Sequence, residues 1–210
     1  MHVPDGFLSP QITVPAWIAA APLWTWAARR NFGASSTESL PVVGSLTALA
    51  FVVQGIMIPV PGGSSAHLTG MAILAILYNP GVAFVCESLV LLLQALFFGA
   101  GGFTVLGVNA LAMGLLGPGA AWLAWRALRG LSGRVAAFAA AYAGMQVATG
   151  AVALVLGLQH RLSPAYMPVP LEVTAVATMV PSLTVLGVVE GLYTVATLAL
   201  LRRARLLDAR

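Results

Sequence analysis

The sequence predicts an all-α integral membrane protein, a bundle of about seven transmembrane helices. Three observations predict it. Of 210 residues, 60% are hydrophobic and only 8% are charged, against about 25% charged in an ordinary soluble domain. The apolar residues gather into seven long runs without the alternation that a membrane barrel needs. Glycine and proline clusters punctuate the gaps between those runs. Sixteen charges cannot build a normal solvated surface. A soluble enzyme, a disordered chain and a nucleic-acid binder are all disfavoured. The net charge of +4 comes from arginine alone, and the arginines sit at the ends of apolar runs rather than on a polar face.

The chain opens on Met1-His2-Val3-Pro4-Asp5-Gly6-Phe7-Leu8-Ser9-Pro10, which carries no Lys or Arg. A cleaved signal needs a basic leader, so this stretch is expected to be retained and non-helical. Asp5 is expected to tighten the Pro4-Asp5-Gly6 turn by bonding its own backbone. Apolar segments follow at roughly 11–28, 40–58, 64–79, 80–98, 103–128, 135–157 and 171–201. They are separated by Pro59 to Gly63, Asn79-Pro80-Gly81, Gly99 to Gly102, and Ser163 to Pro170. The third segment is short for a span, but the arginines favour a crossing. With the N-terminus outside and all seven segments spanning, nine of the ten arginines lie on the cytoplasmic side and only Arg161 faces out. If the third segment did not cross, Arg126, Arg129 and Arg134 would move outside. The C-terminus is then cytoplasmic. The same topology puts His2, His67 and His160 on the outer side.

Cys86 lies inside an apolar run and reads as a buried small hydrophobe. Ala136, Ala140, Gly144 and Ala148 form a small-residue ridge for close helix approach, either within the bundle or against a partner membrane subunit.

The strongest local feature is Met1-His2. A terminal amine, the His2 backbone nitrogen and His2 Nδ1 close a five- and a six-membered chelate ring on one metal. Such a planar nitrogen field suits Ni(II) or Cu(II) and can hold Co(II). Binding requires an amide to deprotonate, so it releases protons. Met1 is expected to remain, because His is too large for initiator removal. His67, at the start of an apolar run on the same membrane face, is the natural fourth donor. Ser64, Ser65 and Thr69 are candidates to orient its ring. His160, in Leu158-Gln159-His160-Arg161, reads as an interfacial residue. Gln54, Glu87, Gln94, Asn109, Gln146 and Glu190 lie within apolar segments and should face the bundle interior. Gln94 and Asn109 flank the Gly99–Gly102 loop and are candidates to fix the N-terminal segment or the metal shell. Glu87 and Glu190 lie nearer the cytoplasmic half and suit structure or partner contact better than the metal.

Several stretches resemble one known family. They are Met1 to Pro10, Gly63-Ser64-Ser65-Ala66-His67-Leu68-Thr69-Gly70, Gln94 to Gly99, Gly101 to Asn109, and Gly117-Pro118. A weaker match lies at Glu190-Gly191-Leu192-Tyr193-Thr194. In this order they resemble the CbiM/NikM family, the substrate-binding membrane components of energy-coupling-factor transporters for cobalt or nickel. The resemblance implies a seven-helix fold whose N-terminal segment plugs into the bundle. It implies the Met1 amine, the His2 backbone nitrogen and side chain, and the His67 side chain as ligands of transported Ni2+ or Co2+, with no other cofactor. It also implies a transmembrane coupling subunit, paired ATPase subunits and a small auxiliary membrane protein as partners, in the inner membrane of a prokaryotic cell. Ala100-Gly101-Gly102 departs from the His-Gly-Gly of many cobalt-type members, so no role at position 100 carries over. Ala112 likewise stands where those members carry a polar residue, and the metal stays open between nickel and cobalt.

Residues 1–210 are expected to form one membrane domain: a metal-binding segment at 1–10, a helical bundle at 11–201 and a basic tail at 202–210. No phosphate-binding Gly-x-x-x-x-Gly-Lys-Ser/Thr loop occurs, so ATP would be hydrolysed by other subunits. Two other readings are an organic-micronutrient binder, which leaves Met1-His2 unexplained, and a metal-dependent intramembrane enzyme, which would keep an open metal position for water.

Overall fold

Seven helices account for most of the described residues, and each starts or stops where backbone chemistry requires it. The structure is a computed structural model and describes residues 2–33, 40–60, 64–204 and 206. Helix α1 (Pro10–Asn31) begins on extended Ser9, with Pro10 where a missing N–H does no harm. Helix α2 (Leu40–Gln54) leads into a two-stranded antiparallel hairpin, β1 (Ile58–Val60) and β2 (Ser64–Ala66), with Ile58 opposite Ala66. Helix α3 (Met71–Leu77) follows Gly70, whose φ of 70° is left-handed. Helix α4 (Pro80–Phe98) is capped by the Asn79 side chain, which accepts from Gly81 N and Val82 N, and ends on left-handed Gly99. Helix α5 (Leu106–Leu128) contains a π-helical stretch, Ala110–Leu116. Helix α6 (Gly133–Leu162) is capped by Ser132, and α7 (Leu171–Arg203) contains a second π stretch, Ser182–Leu186.

Helices α4, α5, α6 and α7 are long and apolar enough to cross a membrane, whereas α2 is apolar but shorter. The third apolar segment departs from expectation. Only Met71–Leu77 of 64–79 is helical, about 10 Å at ~1.5 Å per residue. Ser64–Ala66 are committed to the hairpin instead, and left-handed Gly70 marks the helix start. The traverse still has reach. Asn79 Nδ2 donates to Asn31 Oδ1 at 2.8 Å, which ties the end of α1 to the start of α4. Asp5 N donates to Gly101 O at 3.0 Å, which marks the opposite end of the bundle. Residues 64–77, part extended and part helical, can cover about 30 Å at most, the thickness of a bilayer core.

The small-residue ridge faces inward. A Cβ on Gly144 would lie 2.8 Å from Gly117 O and 2.9 Å from Ala121 Cβ, and one on Gly117 would lie 2.9 Å from Ala148 Cβ. Ala136, Ala140 and Ala148 are buried as well. The ridge therefore seats α6 on α5 within the bundle, which corrects the alternative of docking to a partner subunit. Gln146 also has an internal task. The π stretch after Pro181 offers carbonyls that a regular helix would use itself. Gln146 Nε2 donates to Ser182 O at 3.0 Å and Tyr142 OH to Leu183 O at 2.8 Å, as lipid-embedded backbone requires. Cys86 is a buried free thiol, as expected.

Candidate metal centre

Residues 2–9 run into the bundle and are pinned by side chains from three helices. Val3 N donates to Asn109 Oδ1 at 2.8 Å, and Asn109 Nδ2 donates back to Val3 O at 2.9 Å. One carboxamide thus imitates a strand partner for one residue, which explains why an asparagine interrupts an apolar helix. Val3 is completely buried. Further along, Ser9 N and Ser9 Oγ both donate to Gln159 Oε1, at 2.8 and 2.9 Å.

Asp5 departs from the expected local turn. Its carboxylate accepts from Phe103 N and Thr104 N, each at 3.0 Å, and from Thr104 Oγ1. It therefore latches the N-terminal segment onto the loop between α4 and α5. Two glycines make room for this. A Cβ on Gly102 would lie 2.0 Å from Asp5 Cγ, and Gly101 is left-handed at φ 74°, with its Cβ position 3.6 Å from His2 Cβ.

This anchoring brings His2 against His67. The two rings lie 4.6 Å apart between centroids, tilted by 37°, and both residues are buried. Each ring is oriented by an acceptor on its far nitrogen. His2 Nε2 lies 3.2 Å from Gln94 Oε1. A carboxamide oxygen accepts, so with Gln94 in this orientation Nε2 carries the hydrogen and Nδ1 is the basic nitrogen. His67 Nδ1 lies 2.9 Å from Leu68 O. By the same logic Nδ1 carries the hydrogen and Nε2 is basic. His67 Nε2 is buried with no hydrogen-bond partner among the described residues. Burial pushes the His2 imidazole down to about 3, so it is neutral at pH 7. Two neutral imidazoles, each with an outer acceptor fixing its tautomer, match the arrangement of histidines that bind transition metals.

Of the other candidates, Met1 and the Ser64 side chain lie outside the described residues. Ser65 sits in β2 opposite Pro59. Thr69 is held by Glu190: its N–H donates to Oε2 at 2.9 Å and its Oγ1 to Oε1 at 2.8 Å, and Gly70 N donates to Oε1 at 2.8 Å. Ring orientation at His67 comes from Leu68 O, a backbone group that no side-chain pattern reveals. Glu87 and Glu190 are buried in the interior, which fits a structural role and not a partner contact. His160 Nδ1 lies 2.9 Å from Met167 O and closes the turn between α6 and α7. Gln159, which anchors Ser9, is signalled in the sequence only as a carboxamide in the last turns of an apolar helix, beside His160.

A family described as CbiM, the cobalt uptake substrate-specific transmembrane region, matches residues 2–206. The chain belongs to the CbiM family. It is 34% identical over 97% of its length to the fused nickel transport protein NikMN of Rhodobacter capsulatus, and covers 62% of that protein. It is 36% identical over 98% of its length to the cobalt transport protein CbiM of Geobacter sulfurreducens, and covers 60% of that one. The chain thus spans about three-fifths of each. Its fold is similar to the crystal structure of a truncated transition metal transporter, with a TM-score of 0.93 and 32% identity over 97% of this chain and 99% of the other. The family's description is one of cobalt uptake, and both relatives are named as transport proteins. In this CbiM-family chain the buried histidine pair, its two outer acceptors and the anchors of residues 2–9 converge on one place in the bundle.

Proposed function

We propose that this chain captures Ni2+ or Co2+ for an ATP-driven importer of the energy-coupling-factor type. The ligands are four nitrogens: the Met1 amine, the His2 backbone nitrogen, His2 Nδ1 and His67 Nε2. One observation carries the reading. Among the described residues His67 Nε2 is buried without a partner, with its ring centroid 4.6 Å from that of His2, and a basic imidazole nitrogen so placed can bind a metal.

The residues divide the work. Gln94 and Leu68 O hold the two rings in the tautomers that ligate. Asn109, the Gly101–Thr104 loop and Gln159 hold the N-terminal segment over the ion. A four-nitrogen plane with a deprotonated amide favours Ni2+ and also accepts Co2+. The segment enters from outside the cell, and the C-terminus is cytoplasmic. The chain forms one domain of seven spans, with its binding segment at 1–10 and its basic tail at 202–210. Energy comes from paired ATPase subunits acting through a transmembrane coupling subunit, with a small auxiliary membrane protein, in the prokaryotic inner membrane. Release follows either from protonation of the ligating nitrogens or from withdrawal of the N-terminal segment from His67.

The test is the metal content of protein purified with its native N-terminus, read by elemental mass spectrometry. About one Ni or Co per chain is expected, released on acidification. A one-residue N-terminal extension and His67→Ala should each lose it. Metal retained in both variants would overturn the four-nitrogen site.

A further inference from the structure

Beneath the histidine pair, a second polar group is sealed into the bundle. Gln54, at the end of α2, is completely buried, and so is Glu87 on α4. Gln54 Nε2 spends one hydrogen on Thr69 O at 2.9 Å and the other on Glu87 Oε2 at 2.8 Å. Thr69 O can only accept, so the carboxamide cannot be turned the other way. Two oxygens remain over, Gln54 Oε1 and Glu87 Oε1, and both are buried with no partner among the described residues. Two bare acceptors on groups already joined by one hydrogen bond are a costly arrangement in a low-dielectric interior. A single hydrogen between them would satisfy both.

We propose that Glu87 carries a proton on Oε1 and donates it to Gln54 Oε1, closing a ring between a carboxylic acid and a carboxamide that positions the His67 segment. Glu190 supplies the contrast. Its oxygens accept three bonds, from Thr69 N, Thr69 Oγ1 and Gly70 N. It works as an acceptor alone and needs no proton. The two carboxyl groups therefore hold Thr69–Gly70 from two sides. Glu190 takes its donors, and the Glu87–Gln54 pair presents a fixed N–H to its carbonyl. Thr69 lies two residues after His67, so the pair acts as a positioning device for that ligand and does not touch the metal. This role rests on the four-nitrogen reading; the proton on Glu87 does not.

Infrared difference spectroscopy of the full chain in detergent tests the proton directly. The wild type at neutral pH should show the carbonyl stretch of a protonated carboxyl, shifted in D2O and absent from Glu87→Gln. Its absence from the wild type, or its survival in Glu87→Gln, would overturn the proposal. Metal content and metal affinity supply the second readout. Glu87→Gln should retain wild-type Ni2+ affinity, because two carboxamides close the same ring. Glu87→Leu should weaken affinity ~10-fold or more, the usual effect of removing support behind a ligand. Equal loss in Glu87→Gln and Glu87→Leu would mean that the charge is required, and the neutral pair would be wrong. His67→Ala separates the two readings. If it keeps its metal while the carboxyl band stands, the metal site fails and the proton survives.

Discussion

In the proposed site His2 and His67 each depend on the group that holds the nitrogen facing away. For His2 that support is Gln94 Oε1 at 3.2 Å. Replacing Gln94 with Leu keeps the volume but removes the acceptor, so His2 loses its preferred tautomer and ring angle. Ni2+ affinity should fall ~10- to 100-fold, read by competition with a chromogenic chelator. Unchanged affinity would show that the N-terminal segment alone orients the ring. Gln94 and Asn109 were legible in the sequence, because a carboxamide in an apolar run must find a partner, and both lie next to the loop that receives residues 2–5. The meeting of His2 with His67 was legible because the chain topology puts both on one side of the bundle, and their rings lie 4.6 Å apart. Asp5, Thr69 and Glu190 were not. Each reads as a local turn, a local ring support or a remote carboxylate, and each bonds a residue about a hundred positions away. No pattern within one segment encodes such a bond.

At the scale of elements, the site depends on how residues 2–9 meet the loop between α4 and α5. Asp5 reaches Phe103 N and Thr104 N only because Gly102 has no side chain: an added Cβ would lie 2.0 Å from Asp5 Cγ. Gly102→Ala should therefore dislodge the segment, at a cost of about 1–3 kcal/mol by analogy with overpacked cores. The readout is faster Ni2+ dissociation and earlier proteolytic cleavage within residues 1–9. Gly119→Ala in α5 is the matched control, since a Cβ there meets nothing within 4 Å and alanine favours a helix. Equal dissociation rates in the two variants would remove the latch from the account. The same scale shows where the sequence misleads. The run 64–79 is apolar enough to suggest a whole helix, yet β-pairing at Ser64–Ala66 and the Glu190 cradle at Thr69–Gly70 leave only Met71–Leu77 helical. Apolarity reports the surroundings of a segment, and here part of those surroundings is protein carbonyl and carboxylate.

For the whole molecule, the two ends of the bundle differ in charge, and this fixes how it should sit in a membrane. The end marked by the Asn31–Asn79 bond also holds Arg29 and Arg30 in the last turn of α1. Arg202 in the last turn of α7 approaches Gly133 at the start of α6, beside Arg134. Arg161 lies in the last turn of α6, 28 residues beyond Gly133 and so at the far end of that helix. Helices α1 and α4 run in opposite directions from their shared end. The segment 64–77 returns the chain to that end without a full-length helix, which keeps Arg126 and Arg134 with the other arginines. Arginine is retained on the cytoplasmic side, so the end bearing Asp5, His2 and His67 should face out. In a Cys86→Ala background, Arg161→Cys should be labelled in intact cells by a membrane-impermeant thiol reagent, while Arg129→Cys should be labelled only after the membrane is opened. The reverse pattern would put the histidine pair on the cytoplasmic face, where an N-terminal chelate could not receive a metal from outside, and capture for import would have to give way to export.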